Sequence, residues 1–256
     1  MKGLLLRTLV PCLAALTACG TAVPPATAPA TTAPVVSSDP APVEPDLPPS
    51  DPDSVPLESP SGAASPVPTP RVFTVVLDPG HNGANASQLA RINRPVPTGR
   101  GGAKACNTTG TTTDAGYAEA AFNWDVALRV REGLTARGVQ VVLTRPDNTG
   151  VGPCVDERAA TANRTNADAL VSIHADGAAP SGRGFHVAYS DPPLNDSQGP
   201  PSVALAEALA AAMRRGGFSA ADYIGSGGLN SRSDIAGLNL AEIPAALVEC
   251  ANMRNP

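Results

Sequence analysis

Apolar residues fill the chain from Val72 to Leu77 almost without a break (Val72-Phe73-Thr74-Val75-Val76-Leu77), and the run stops at Asp78-Pro79-Gly80-His81. Such a run predicts a strand buried on both faces, as in a parallel sheet. Between Glu119 and Arg137 the period changes. Phe122, Val126, Val130 and Leu134 recur at helical spacing, with Gly138 placed to end the helix. Val139 to Thr144 reads as a second strand, Asp156 to Asn166 as a helix, and Ala169 to Ile173 as an apolar strand running into His174. Gly184 to Ser190 alternates like a further strand. Ser202 is placed to cap a helix burying Val203, Ala206, Leu209 and Met213, stopped by Gly216-Gly217. Ala245 to Val248 is the last strand, and it ends at Glu249. Strands alternating with helices predict an α/β fold: a single domain over residues 71–256 with a largely parallel, twisted central sheet flanked by helices. Residues 82–116, rich in Gly, Thr and Asn, are expected to form a long functional loop.

The chain before Arg71 has no such pattern. Residues 1–18 read as a signal peptide, with Lys2 and Arg7 preceding an apolar stretch, Leu9 to Leu16, that is too short to span a bilayer. Leu16-Thr17-Ala18-Cys19-Gly20 resembles a bacterial lipobox, which implies cleavage before Cys19 and diacylglycerol on its thiol. An ordinary secretory signal with a chance cysteine is the alternative. Residues 19–70 read as the lipidated cysteine and a Pro-rich linker, with 15 prolines among the fifty positions from Thr21 to Pro70. That composition cannot bury enough apolar surface to offset its ordering entropy. The expectation is a catalytic domain tethered to the outer face of the cytoplasmic membrane and reaching the cell wall.

Charge removes one class of partner. From Arg71 onward there are 17 acidic side chains against 16 Lys and Arg, so the domain lacks the basic excess that nucleic acid demands. Export also bears on the cysteines. Cys12 would leave with the signal and Cys19 would carry lipid, leaving Cys106, Cys154 and Cys250 in an oxidising compartment. Of the possible pairings, a Cys106–Cys154 disulfide is favoured because both residues flank Gly/Thr-rich loops, with Cys250 left free.

Three predicted strands end in a residue able to work on a metal or a carbonyl: His81, His174 and Glu249. Sites in open α/β sheets gather beyond the carboxyl ends of the strands. Glu119 opens the helix after the first strand and so belongs to the same edge. Two imidazoles and one carboxylate make a usual catalytic zinc set, and a second carboxylate can move protons for the attacking water. His186 is the alternative third ligand, but its alternating strand fits a half-buried structural role better. Cys250 as a nucleophile is disfavoured against a small buried thiol. Arg232 and Asp234 are either contacts for the charged ends of a substrate or solvated loop charges.

Asp78-Pro79-Gly80-His81-Asn82-Gly83, Glu119 ahead of Phe122-Asn123-Trp124, Ser172-Ile173-His174-Ala175-Asp176 and Leu247-Val248-Glu249-Cys250 together resemble the zinc-dependent N-acetylmuramoyl-L-alanine amidase family. The likeness runs from Val72 to Pro256. It is strongest to mycobacterial-type members, through Gly99-Arg100-Gly101-Gly102, Gly152-Pro153-Cys154-Val155-Asp156-Glu157-Arg158 and both loop cysteines. The resemblance implies that His81, Glu119 and His174 hold a single Zn2+ and that Glu249 is the catalytic base and acid. It implies cleavage of peptidoglycan between N-acetylmuramic acid and the first L-alanine of the stem. The chain is separately expected to be a monomer. Asp78 is placed either to orient His81 or simply to make the turn.

Two features depart from the family pattern. Ala251 stands where a glycine is usual, and family members continue with a final helix where this sequence stops at Pro256. An uncovered apolar strip beside the last strand is the expected consequence. A wall-binding lipoprotein that keeps the fold without catalysis is the second function class, and a zinc peptidase acting elsewhere in the stem is the third.

Overall fold

The computed structural model describes residues 71–256, so the readings of the signal peptide, of Cys19 and of the linker lie outside the described residues. Among the described residues there are eight strands: β1 (Thr74–Pro79), β2 (Pro95–Pro97), β3 (Ala103–Ala105), β4 (Gln140–Leu143), β5 (Ala169–Asp176), β6 (His186–Ser190), β7 (Leu229–Arg232) and β8 (Ala245–Asn252). The helices are α1 (Leu89–Ile92), α2 (Glu119–Thr135), α3 (Val155–Arg164), α4 (Pro200–Arg215) and α5 (Ala236–Asn239). Six strands form one sheet in the order β4-β1-β5-β8-β6-β7. The first four are mutually parallel, β6 runs antiparallel to β8, and β7 lies parallel to β6. The structure is thus the α/β fold with a largely parallel sheet that the apolar periods predict.

Because side chains alternate along a strand, the sheet has two distinct faces. Val75, Leu77, Val171, Ile173, Val187, Ala246 and Val248 pack with Val126, Val130 and Leu134 of α2 and with Leu205, Leu209 and Met213 of α4. On the opposite face Val76, Leu170, Ala188, Ala245 and Leu247 pack with Ala162 of α3 and Leu238 of α5. Continuing two residues along the strands of this second face leads to Asp78, Ser172 and Glu249, and two more along β5 to His174. The apolar layer gives way to a polar one at the strand ends.

Several expectations need correction. Residues 82–116 hold a short 3-10 turn, α1 and the β2–β3 hairpin, so the long loop is partly ordered. Neither β7 nor α5 is foreshadowed by a strong apolar period. Ser202 does not cap α4. Gly199 holds the cap position, and Pro200-Pro201 open the helix, where a missing N–H costs nothing. The Ser202 hydroxyl instead donates to the Ser197 carbonyl and accepts from the Ala245 N–H, tying α4 to β8. The uncovered strip beside the last strand is also not found. Ala245 to Val248 are at most 7 % exposed. Among the described residues, the exposed large apolar side chains are Val72, Leu89, Tyr117 and Leu194, none on β8. The flanking helices α4 and α5 both contact that strand and cover it.

Cys106 and Cys154 are joined in a disulfide, which fastens the end of the hairpin to the start of α3. Cys250 is a free thiol packed against the core, as expected.

Candidate metal centre and active site

The loop after β1 carries His81 in the left-handed region, with φ of 58°, a conformation few non-glycine residues adopt. Two buried guanidinium groups hold it there. Arg158 donates to the carbonyls of Pro79 at 2.9 Å and His81 at 2.8 Å and to Asn82 Oδ1 at 2.7 Å. Arg145 donates to the Pro79 carbonyl at 2.8 Å and also to the Ala120 carbonyl at 2.8 Å. Arg145 therefore ties the His81 loop to the first turn of α2, where Glu119 sits.

Asp78 does not orient the His81 ring. Its carboxylate faces Arg158 Nη1 at 2.6 Å and accepts from the hydroxyls of Thr144 and Ser172, each at 2.6 Å. Burial alone would raise this acid, but Arg158 and the two hydroxyls outweigh burial and lower its pKa to about 2. The ring partner of His81 is instead the Thr108 carbonyl, 3.1 Å from Nδ1. That contact leaves Nε2 free to face inward.

His81, Glu119 and His174 come together although the chain separates them widely. Glu119 Oε1 lies 3.1 Å from His81 Nε2 and 2.9 Å from His174 Nδ1. The other oxygen, Oε2, accepts from the Thr111 N–H at 2.9 Å. Burial raises the Glu119 pKa, yet the hydrogen bonds from His174 and His81 and their charges hold it well below the ordinary carboxylate range. Its place at the N-terminus of α2 also favours the anion.

Two glycines make the approach possible. A Cβ at Gly80 would lie 2.2 Å from the His174 ring, and one at Gly110 would lie 2.9 Å from Glu119 Oε2. One donor atom from each of the three side chains lies within 4.8 Å of the others. Two imidazole nitrogens and a carboxylate oxygen that close together are the donor set of an open zinc site. The residues present therefore fit the group.

Glu249 completes the constellation from β8. It stands opposite His174 in the parallel pairing and opposite His186 in the antiparallel one. Its Oε2 is buried and has no hydrogen-bond partner. Burial first, then the nearby Glu119 and Asp176, push its pKa well above the usual value, against a smaller opposing effect of Arg232. An acid in that state is suited to holding and releasing a proton. All four side chains line one open cleft of about 450 Å³.

His186 is fully buried rather than half-buried and does not join this cluster. Its Nε2 lies 3.4 Å from Asp176 Oδ2, and its ring meets Tyr223 edge-on. Arg232 and Asp234 line the cleft but are paired with each other through contacts of 2.7 and 2.6 Å. Burial, with Glu249 and Glu119 nearby, pushes the Cys250 thiol up to about 12, far from the thiolate a nucleophile needs.

Sequence reasoning missed the supports: Arg145, and the backbone groups of Thr108 and Thr111. Arg145 carried a usable signal. It follows the apolar run of the second predicted strand at once, and so lies at the same sheet edge as His81.

Residues 75–256 match the family described as N-acetylmuramoyl-L-alanine amidase. The chain belongs to that family. Over 184 residues it is 53 % identical to the N-acetylmuramoyl-L-alanine amidase Rv3717 of Mycobacterium tuberculosis, covering 72 % of this chain and 75 % of that protein. The solved amidase Ami1 of Mycobacterium smegmatis is 58 % identical with a TM-score of 0.70, over 72 % of this chain and 84 % of its own. The apo form of Ami1 from Mycobacterium abscessus is 52 % identical with the same TM-score, over 72 % of this chain and 85 % of its own. AmiC2 of Nostoc punctiforme, at 28 % identity and a TM-score of 0.51 over 72 % and 81 % of the two chains, shares the fold. Amide hydrolysis in peptidoglycan is the activity that membership of the amidase family carries.

Proposed function

We propose that this amidase is a zinc enzyme, with His81, Glu119 and His174 as the metal ligands and Glu249 as the group that carries protons. The observation behind this reading is the convergence of the three side chains from β5, α2 and the β1 loop, with the unpartnered carboxyl of Glu249 in the same cleft. When bound, zinc supplies Lewis-acid polarisation of the scissile carbonyl and acidifies the attacking water. Glu249 takes the proton from that water and delivers it to the amine of the departing L-alanine. The same carboxyl thus acts first as base and then as acid, and the enzyme ends the cycle unchanged. Thr108 holds the His81 ring and Thr111 holds Glu119, so neither ligand has to reorganise.

In the cell the domain would work from a tether: lipid on Cys19, the Pro-rich residues 19–70, and a position at the outer face of the cytoplasmic membrane. The support for this is the lipobox-like segment and the composition of the linker.

Metal analysis of the purified protein, beside His81→Ala and His174→Ala, tests the ligand set. Equimolar zinc in the wild type and little in either variant is the expected result. Full zinc occupancy in either variant removes that residue from the set.

A further inference from the structure

One turn along α2 from Glu119 stand Asn123 and Trp124. Asn123 is fully buried. Its Nδ2 donates to the Gly80 carbonyl at 3.2 Å and to Glu119 Oε1 at 3.4 Å. Both neighbours are acceptors, so the amide must present its nitrogen to them. Its Oδ1 is left buried with no hydrogen-bond partner among the described residues. A buried acceptor left unpaired works against folding. The amide is therefore not there to pack α2, whose next buried positions, Val126, Ala127 and Val130, are apolar.

A ring nitrogen that ligates a metal has no proton to give. In a loaded site His81 Nε2 and His174 Nδ1 therefore cannot donate to Glu119 Oε1. The protein donors left to that oxygen are the Ala175 N–H at 3.3 Å and Asn123 Nδ2. Of these, Asn123 also reaches the His81 loop, through the Gly80 carbonyl. Trp124 serves the same junction. The Arg145 guanidinium lies over its ring, 5.0 Å from the centroid, and Arg145 spans the carbonyls of Pro79 and Ala120.

We propose that Asn123 is a positioning residue for the metal ligand Glu119. Through one amide nitrogen it holds the ligating oxygen and, by the Gly80 carbonyl, the loop that presents His81. Two of the three ligands thereby keep a set separation. Nδ2 is a donor and cannot itself ligate. The inference rests on the zinc reading of His81, Glu119 and His174. Without the donor Glu119 keeps its charge but loses the restraint on Oε1, and the partners that orient a ligand govern its metal affinity. A role in packing alone has a different signature: the fold weakens and the metal site is unaltered.

The test measures zinc affinity against a competing chelator, and the visible absorption of the Co2+-loaded protein, below the melting temperature of each variant. Asn123→Leu keeps the branching of the side chain and removes the donor, and Asn123→Ala serves if the leucine overpacks. Val130→Ala, about three turns further along α2, is the control that weakens the same helix away from the site. The Asn123 variants should bind zinc roughly 10–100-fold more weakly than the wild type, with an altered Co2+ spectrum. Val130→Ala should melt earlier yet keep wild-type affinity and spectrum. Wild-type affinity or a wild-type spectrum in a folded Asn123 variant overturns the inference, as does an equal loss of affinity in Val130→Ala. In those cases tight zinc binding by the wild type leaves the zinc reading intact. A wild type that binds no zinc brings down that reading and this inference together.

Discussion

Arg158 and Asp78 meet at 2.6 Å with both side chains buried, and the same guanidinium carries the carbonyl of His81. The pair is thus a support for the loop that carries His81. Removing one member leaves the other charge buried and alone. Arg158→Met should lower unfolding stability by roughly 3–5 kcal/mol, the usual cost of breaking a buried pair. Arg158→Lys keeps the charge but not the fork, and should fall between. Denaturant unfolding of the three proteins measures this. A loss under about 1 kcal/mol for Arg158→Met would mean that the pair contributes little.

The lowered pKa of Asp78 links this support to pH. Burial opposes the anion, but Arg158, Ser172 and Thr144 prevail, giving a folded value of about 2 against an ordinary 3.8. A depressed folded pKa means stability that is complete above the unfolded value and is lost as pH falls through the folded one. Asp78 should therefore contribute about 2 kcal/mol above pH 4, fading between about pH 4 and pH 2. Unfolding curves of the wild type and Asp78→Asn across that window should converge as the pH drops. Parallel curves would show that another group governs the acid limb.

Gly80 is required by space, not by backbone conformation. A Cβ there would overlap the His174 ring at 2.2 Å, and the neighbouring strand pairing would be untouched. Gly80→Ala should therefore fold but bind zinc roughly 10–100-fold more weakly, as expected when a ligand is pushed off its position. Titration with a competing chelator reads the affinity. Unchanged zinc affinity would show that the imidazole has room to move.

Most of the framework is legible in the sequence, and the reason is physical. A strand buried on both faces, such as β1 or β5, must be apolar throughout, so its end at His81 or His174 stands out. Glu119 is visible because it opens a helix of clear period. What escapes is held by backbone groups or by short elements. β7 and α5 are four residues each and have too little length to show a period. Thr108 and Thr111 act through a carbonyl and an N–H, which any residue type would supply. Ser202 misleads because Pro200-Pro201, just before it, open the helix by a different device.

The central claim separates metal binding from proton transfer: three residues hold zinc, and Glu249 does the chemistry. Glu249→Gln tests both halves at once, because it keeps the shape and removes the proton carrier. Metal analysis and mass spectrometry of digested muropeptides should be run on the same preparation. The account predicts equimolar zinc, as in the wild type, with release of the L-alanine-terminated stem slowed by about 10²–10⁴-fold. Stem release at the wild-type rate, or loss of the zinc with the glutamate, would contradict it.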